Sequence, residues 1–144
     1  MKRKNFIKTC GLACLGTTTL GLSLQGCTSS KNLSIPLADN NLVLGKTDFI
    51  KNGGFYDYIV VSNPQLRFPI AVFRFSEEKY SALYLQCSHQ GNELNVYGDK
   101  LVCSAHGSEF DNKGKVTKGP AADPLRSLPV QIGNNNILIS LPSA

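Results

Sequence analysis

Cys87-Ser88-His89-Gln90-Gly91 and Cys103-Ser104-Ala105-His106-Gly107 are two short motifs of the same make, joined by a stretch, Asn92 to Val102, with a turn at its middle. Leu94 to Tyr97 and Lys100 to Cys103 read as short strands, and Gly98-Asp99 between them as a two-residue hairpin loop. The hairpin places Cys103 at the end of the strand that returns from the turn. Both His of the chain and two of its five Cys fall in these motifs. Residues scattered through a core would not pair up twice in this way. One or two residues between Cys and His let a tight loop aim a thiolate and an imidazole into one small volume, so two loops supply four ligands. Thiolates suit zinc and iron–sulfur clusters alike, and imidazole suits zinc, iron and copper, so the ligand types leave the metal open.

Outward from this hairpin the chain offers further short runs of β-branched and aromatic residues: Asn41 to Leu44, Tyr56 to Val61, Ile70 to Phe75, Tyr80 to Gln86, Ser127 to Ile132 and Ile137 to Leu141. Turn signals separate them at Asn52-Gly53-Gly54, Asn63-Pro64, Ser76-Glu77-Glu78-Lys79 and Gly133-Asn134-Asn135-Asn136. No stretch carries a helical period. The expectation is an all-β domain with one core, and a length of 144 residues suits one. Ser104 to Leu125, rich in Gly, Lys and Pro, reads as loop built around a site.

The N-terminus has a different character. Lys2, Arg3, Lys4 and Lys8 precede a mostly apolar run from Cys10 to Leu24, the pattern of an export signal. That run is shorter than the ~20 apolar residues of a spanning helix. Leu24-Gln25-Gly26-Cys27 resembles the lipobox of bacterial lipoproteins, which implies cleavage before Cys27 and a diacylglyceryl group on its thiol. Residues 1–26 are thus expected as signal peptide, 27–33 as a lipidated tether, and 34–144 as the folded domain, in an exported protein facing the periplasm or cell exterior.

Removing residues 1–26 takes away four of 15 basic residues and none of ten acidic ones, leaving 11 against 10 and a net charge of +1. The basic balance belongs to the signal, and nucleic-acid binding has no support. Cys10 and Cys14 leave with the signal and Cys27 takes the lipid, so Cys87 and Cys103 are the cysteines left to act. With both His in the motifs, none remains as a general base, so an enzyme with chemistry of its own is not expected.

The two motifs, continued through Gly107-Ser108-Glu109-Phe110-Asp111, Gly114 and Gly119-Pro120-Ala121, resemble the paired cluster-binding loops and covering proline loop of the Rieske family. The resemblance is most specific from Cys87 to Pro129 and architectural elsewhere, with the cluster-binding part at about residues 86–125. It implies an antiparallel β sandwich bearing a small cluster-binding subdomain of two loops, and one [2Fe-2S] cluster per chain. Cys87 and Cys103 would hold the inner iron, and His89 and His106 the outer. Gly91 and Gly107 would let backbone N–H groups approach the cluster sulfurs, Ser108 would donate to a bridging sulfur, and Pro120 would cover the site. Such centres span about −150 to +300 mV, against about −400 mV for plant-type ferredoxins.

Departures from the family pattern narrow the reading. Members from cytochrome bc-type complexes add a disulfide between the loops, at the positions of Asn92 and Ala105, and neither residue can form it. The loops are then expected to be held by packing and the proline loop alone. Phe110 stands where high-potential members place a Tyr that donates to a ligand sulfur, and Gln90 where they place a Leu near the quinol site. The implied role is an extracytoplasmic electron carrier on a lipid anchor, exchanging electrons with a redox partner such as a cytochrome, a quinol-oxidising complex or an oxidoreductase. The alternatives are a bc-type Rieske subunit and a structural zinc-binding lipoprotein.

Overall fold

The computed structural model of the chain describes residues 30–142; the signal segment 1–26 and Cys27 lie outside the described residues. Ile70-Ala71-Val72-Phe73 is apolar and buried at four consecutive positions, the mark of a strand covered on both faces. It belongs to the middle of a five-stranded sheet in the order β1 (Ser30–Ser34), β5 (Tyr58–Ser62), β6 (Ile70–Ser76), β7 (Lys79–Tyr84), β12 (Ser127–Leu128). Neighbours run antiparallel except β1 and β5, which are parallel.

Alternation along these strands feeds two cores. Ile59, Val61, Ile70, Val72 and Ala82 pack against Leu42, Leu44, Ile137 and Ile139 of a three-stranded sheet, β13 (Val130–Ile132), β14 (Asn136–Ser140), β2 (Asn41–Gly45). Tyr58, Ala71, Phe73 and Leu83 pack against Leu94, Leu101 and Phe110, which come with a four-stranded sheet, β11 (Val116–Lys118), β10 (Glu109–Asp111), β9 (Lys100–Val102), β8 (Asn95–Tyr97). The all-β expectation holds, but two cores replace the one expected, because the central sheet is covered on both faces in a three-layer arrangement and the cluster-binding part brings a sheet of its own. A small hairpin, β3 (Ile50–Lys51) and β4 (Gly54–Phe55), turns at Asn52-Gly53 as the sequence predicts.

Three boundaries differ from expectation. Residues 30–33, expected within the tether, lie in β1, paired from Ser30 with Tyr58 to Ser34 with Ser62. An edge strand needs backbone pairing on one side only, so its polar composition hides it. Ser127 to Ile132 is not one strand: Pro129 divides it between β12, in the central sheet, and β13, in the outer one. Residues 104–125 contain β10 and β11, each three residues long, which exist because β9 offers an edge to pair with.

The cluster-binding sheet is bound to the central one by hydrogen bonds from the latter: Tyr58 Oη donates to the Val96 carbonyl at 3.3 Å and Ser81 Oγ to the Asn112 carbonyl at 2.7 Å. Across its own strands, Glu109 accepts from Lys100 at 2.7 Å and Lys118 at 3.3 Å. Lys100 first, then Lys118, hold the Glu109 carboxyl below the usual carboxylate range, and Glu109 raises Lys100 in return. The turn after β10 is tight: the Asp111 carboxylate accepts the N–H groups of Lys113 and Lys115, both at 2.9 Å. Gly114 closes it at φ +84°, where an added Cβ would lie 3.0 Å from Leu83 Cδ2.

Gly114→Ala is therefore expected to cost about 1–3 kcal/mol for left-handed backbone, plus a packing penalty at Leu83. Gly53→Ala, at φ +82° with nothing near its Cβ position, carries the backbone cost alone, and chemical denaturation of the two variants separates the contributions. Glu109, with its pKa depressed in the folded protein, stabilises above the ordinary carboxylate range and ceases to as pH falls through its folded value. Glu109→Gln should be less stable than the parent at neutral pH, with the gap closing in acid, as followed by urea titration at a series of pH values.

Candidate metal centre

The register of β8 on β9 pairs Asn95 with Val102 and Tyr97 with Lys100. The residues entering β8 and leaving β9 therefore stand side by side, at the end of the hairpin away from the Gly98-Asp99 turn. Residues 87–92 and 103–108 are brought together there.

The two loops share one backbone frame. Cys87 N–H donates to the Asn92 carbonyl and Gly91 N–H to the Cys87 carbonyl, both at 2.8 Å. Cys103 N–H donates to the Ser108 carbonyl and Gly107 N–H to the Cys103 carbonyl, both at 2.9 Å. Gly91 and Gly107 have φ +74° and +77°, the left-handed conformation that closes each turn. Outside the turns, Gln86 bridges Glu93 and Val102 pairs with Glu109. His89 is the second residue after its Cys and His106 the third, so the imidazoles leave equivalent turns from different positions.

The N–H groups of Gly91 and Gly107 close the turns onto the Cys carbonyls, because a turn of this length leaves those carbonyls within reach of the fourth residue on. The N–H groups of His89 and Gln90 act on Cys87 sulfur. Burial is the largest influence on the Cys87 thiol and pushes its pKa up. The His89 N–H opposes the rise, the hydrogen-bonded Cys103 side chain adds to it, and the Gln90 N–H opposes it again.

Cys87 is 2% exposed and Cys103 1%, both as free thiols within the core that Leu94, Leu101 and Phe110 share. His89 and His106 are exposed, with ring centroids 5.1 Å apart and planes at 89°. Two sulfur donors thus lie beneath two nitrogen donors. Among the described residues, no three His, Cys, Asp or Glu side chains form a group that could hold one metal ion. A mononuclear tetrahedral zinc site would ask for four ligands around one point. A binuclear cluster asks for two protein ligands on each iron, and two juxtaposed thiols below two juxtaposed imidazoles fit that requirement.

The proline loop reaches both turns. Ser108, 0% exposed, accepts the Ala121 N–H at 3.0 Å, which leaves its own hydroxyl proton to donate elsewhere. Ser88 Oγ donates to the Asp123 carbonyl at 2.6 Å, and Asn95 Nδ2 donates to Ser104 Oγ at 2.9 Å. Packing and Pro120 are therefore not alone in holding the loops. Ser88 and Asn95 escape a sequence reading because their partners lie 35 and nine residues away. Pro120 is exposed, with the Gly119-Pro120 peptide cis, and the adjoining Ala121 is buried. Phe110 is wholly buried and has no hydroxyl to give.

Comparison with known proteins points the same way. Residues 40–129 match the Rieske [2Fe-2S] domain family. Cytochrome b6-f complex iron-sulfur subunits of Synechococcus sp. (strain CC9605) and Prochlorococcus marinus (strain NATL1A) are each 38% identical over 56 residues, covering 38% of this chain and 32% of theirs. The chain thus spans about a third of the length of those relatives. The plasma membrane Rieske protein PetC3 of Synechocystis PCC 6803 superposes with a TM-score of 0.56 at 30% identity, over 69% of this chain and 99% of that one. Naphthalene 1,2-dioxygenase, at 20% identity and a TM-score of 0.54 over 70% of this chain and 26% of its own, shares the fold. Because the family match takes in both Cys/His loops and more than half of the chain, the protein belongs to the Rieske [2Fe-2S] domain family, an electron-transfer family that binds one [2Fe-2S] cluster per chain.

Proposed function

We propose that this protein is an extracytoplasmic electron carrier, held at a membrane by a lipid on Cys27, in which Cys87 and Cys103 hold the inner iron and His89 and His106 the outer. The contrast in burial carries the reading: the thiols are enclosed in the core while the imidazoles reach the surface. When bound, the [2Fe-2S] cluster accepts and returns one electron, and exposed His ligands place a redox partner next to the iron they hold.

The chain's own residues set how readily this happens. Neutral imidazoles in place of two thiolates leave less negative charge at the site, which favours reduction. The N–H groups of His89 and Gln90 aimed at Cys87 sulfur act in the same sense. Ser108 is held by Ala121 N–H so that its free proton can serve as a donor, whereas Phe110 supplies none. One of two tuning hydroxyls is present, which supports a potential between those of oxygenase ferredoxins and bc-type proteins.

A second reading, a subunit of a quinol-oxidising complex, draws on the likeness to b6-f iron-sulfur subunits. Exposed, polar Gln90 and the disulfide-incompetent Asn92 and Ala105 favour the carrier.

The purified protein should be brown and give a rhombic EPR signal on reduction, and Cys87→Ser or Cys103→Ser should abolish both. A colourless, zinc-loaded protein would refute the assignment. A hydrogen bond worth about 1 kcal/mol more to the reduced state shifts a one-electron potential by about 40 mV. Redox titration should accordingly find Ser108→Ala lower by that order and Phe110→Tyr higher. Ser88→Ala should lose about 1 kcal/mol of loop clamping and bleach sooner on warming, while Ser88→Thr keeps the bond to Asp123 and the parent's rate.

A further inference from the structure

The chain enters the described fold at Ser30, which pairs with Tyr58 at the start of β5. Tyr58 in turn lies opposite Phe73, near the end of β6. The chain leaves the central sheet for the first Cys/His loop at the other end, beyond Tyr84, which lies opposite Ile70. The hairpin of β8 and β9 agrees: its Gly98-Asp99 turn lines one cleft with Asp57 and Arg74, so its Cys-bearing end points the opposite way. Ser30 is thus level with Phe73 and Ser81, and the first metal-binding loop begins at Cys87, six residues beyond Ser81 or roughly 20 Å of extended chain.

The hairpin of β3 and β4 sits at the Ser30 end, tied there through Lys31, whose Nζ lies 3.1 Å from Asp48 Oδ1 just ahead of β3. Ile50 and Phe55 pair directly across this hairpin and are 55% and 46% exposed. The Arg74 guanidinium stacks 3.8 Å from the centre of the Phe55 ring. An aliphatic and an aromatic side chain with a cation stacked on the ring match the headgroup boundary of a bilayer, where rings and cationic side chains both find favourable surroundings. Lys31 pairs with Asp48 and Lys46 with Glu78, and Lys51, Arg74 and Lys79 at this end stand with Asp57 and Glu77, so its charges are close to balanced and contact with lipid does not depend on anionic headgroups.

We propose that the β3–β4 end rests on the bilayer surface and the Cys/His loops face away from it. This rests on the reading of Cys27 as a lipid anchor. Because β1 begins at Ser30, only Thr28 and Ser29 stand between that anchor and the sheet, a reach of about 10 Å at full extension. A tether so short holds the Ser30 end against the membrane and the metal centre a strand's length above it. The electron partner is then a site standing off the bilayer, carried by a soluble protein or an extramembrane domain, and not a quinol within the lipid.

The chain contains no Trp, so a single introduced indole reports its surroundings. Full-length lipidated Phe55→Trp and Gln65→Trp proteins, the second reporting from the loop that follows β5 at the far end, would be reconstituted in phosphatidylcholine vesicles with and without headgroup-proximal brominated lipid. The ratio of emission in brominated to plain vesicles should fall by about half for Trp at position 55, as for a ring at the headgroup boundary, and stay near one at position 65. Co-flotation with an unchanged ratio at 55, or a larger fall at 65, overturns the orientation and leaves the anchor standing. Failure to float with the vesicles overturns both.

Discussion

The pairing of Asn95 with Val102 is the constraint on which the metal centre depends. It places the residues before β8 and after β9 next to one another, and each neighbour is the root of a turn that folds back on its Cys carbonyl. Shift that register and one loop moves along the other. Cys87 would no longer sit against Cys103, nor the two imidazoles at 5.1 Å. A two-residue turn leaves little room for such slippage, which is why a hairpin of three-residue strands can carry the whole site.

The second support is the proline loop. Lacking a cross-linking cysteine pair at Asn92 and Ala105, the chain ties its loops through the segment 121–123, which receives Ser88 Oγ at Asp123 and gives the Ala121 N–H to Ser108. Hydrogen bonds of this kind contribute about 1 kcal/mol each, against about 2–4 kcal/mol for a disulfide, so the clamp is softer and spread over more atoms. Burial of Ala121 and Leu125 in the same core as Cys87 and Cys103 adds apolar contact that a single covalent link would not supply.

Beneath both lies the central sheet, covered on each face and so apolar along almost all of β6. Its alternation of side chains sends Ile70 and Val72 to one core and Ala71 and Phe73 to the other. The sheet is thereby a rigid spacer: the chain enters at one end, the metal-binding loops stand at the other, and the hydroxyls of Tyr58 and Ser81 fasten the layer that carries them.

Much of the site was legible in residues close together in the chain. The two Cys/His motifs, the Gly98-Asp99 turn and the strands β5, β6 and β7 of the central sheet could be read because their signals are local: spacing, turn chemistry and apolar runs. The polar edge strand β1 and the short β10 and β11 could not, because each exists through pairing with a distant neighbour and carries no pattern of its own. For the same reason the duties of Ser88, Asn95 and the glycine N–H groups waited on the folded backbone. The sequence by itself determined which four side chains could meet a metal and that the loops would lack a disulfide, since those are matters of residue type and spacing. The inner and outer order of thiols and imidazoles was implied by the family resemblance, but only tertiary structure decided what encloses the thiols and at which end of the molecule the site stands, because burial and direction arise only when strands far apart in the chain are paired.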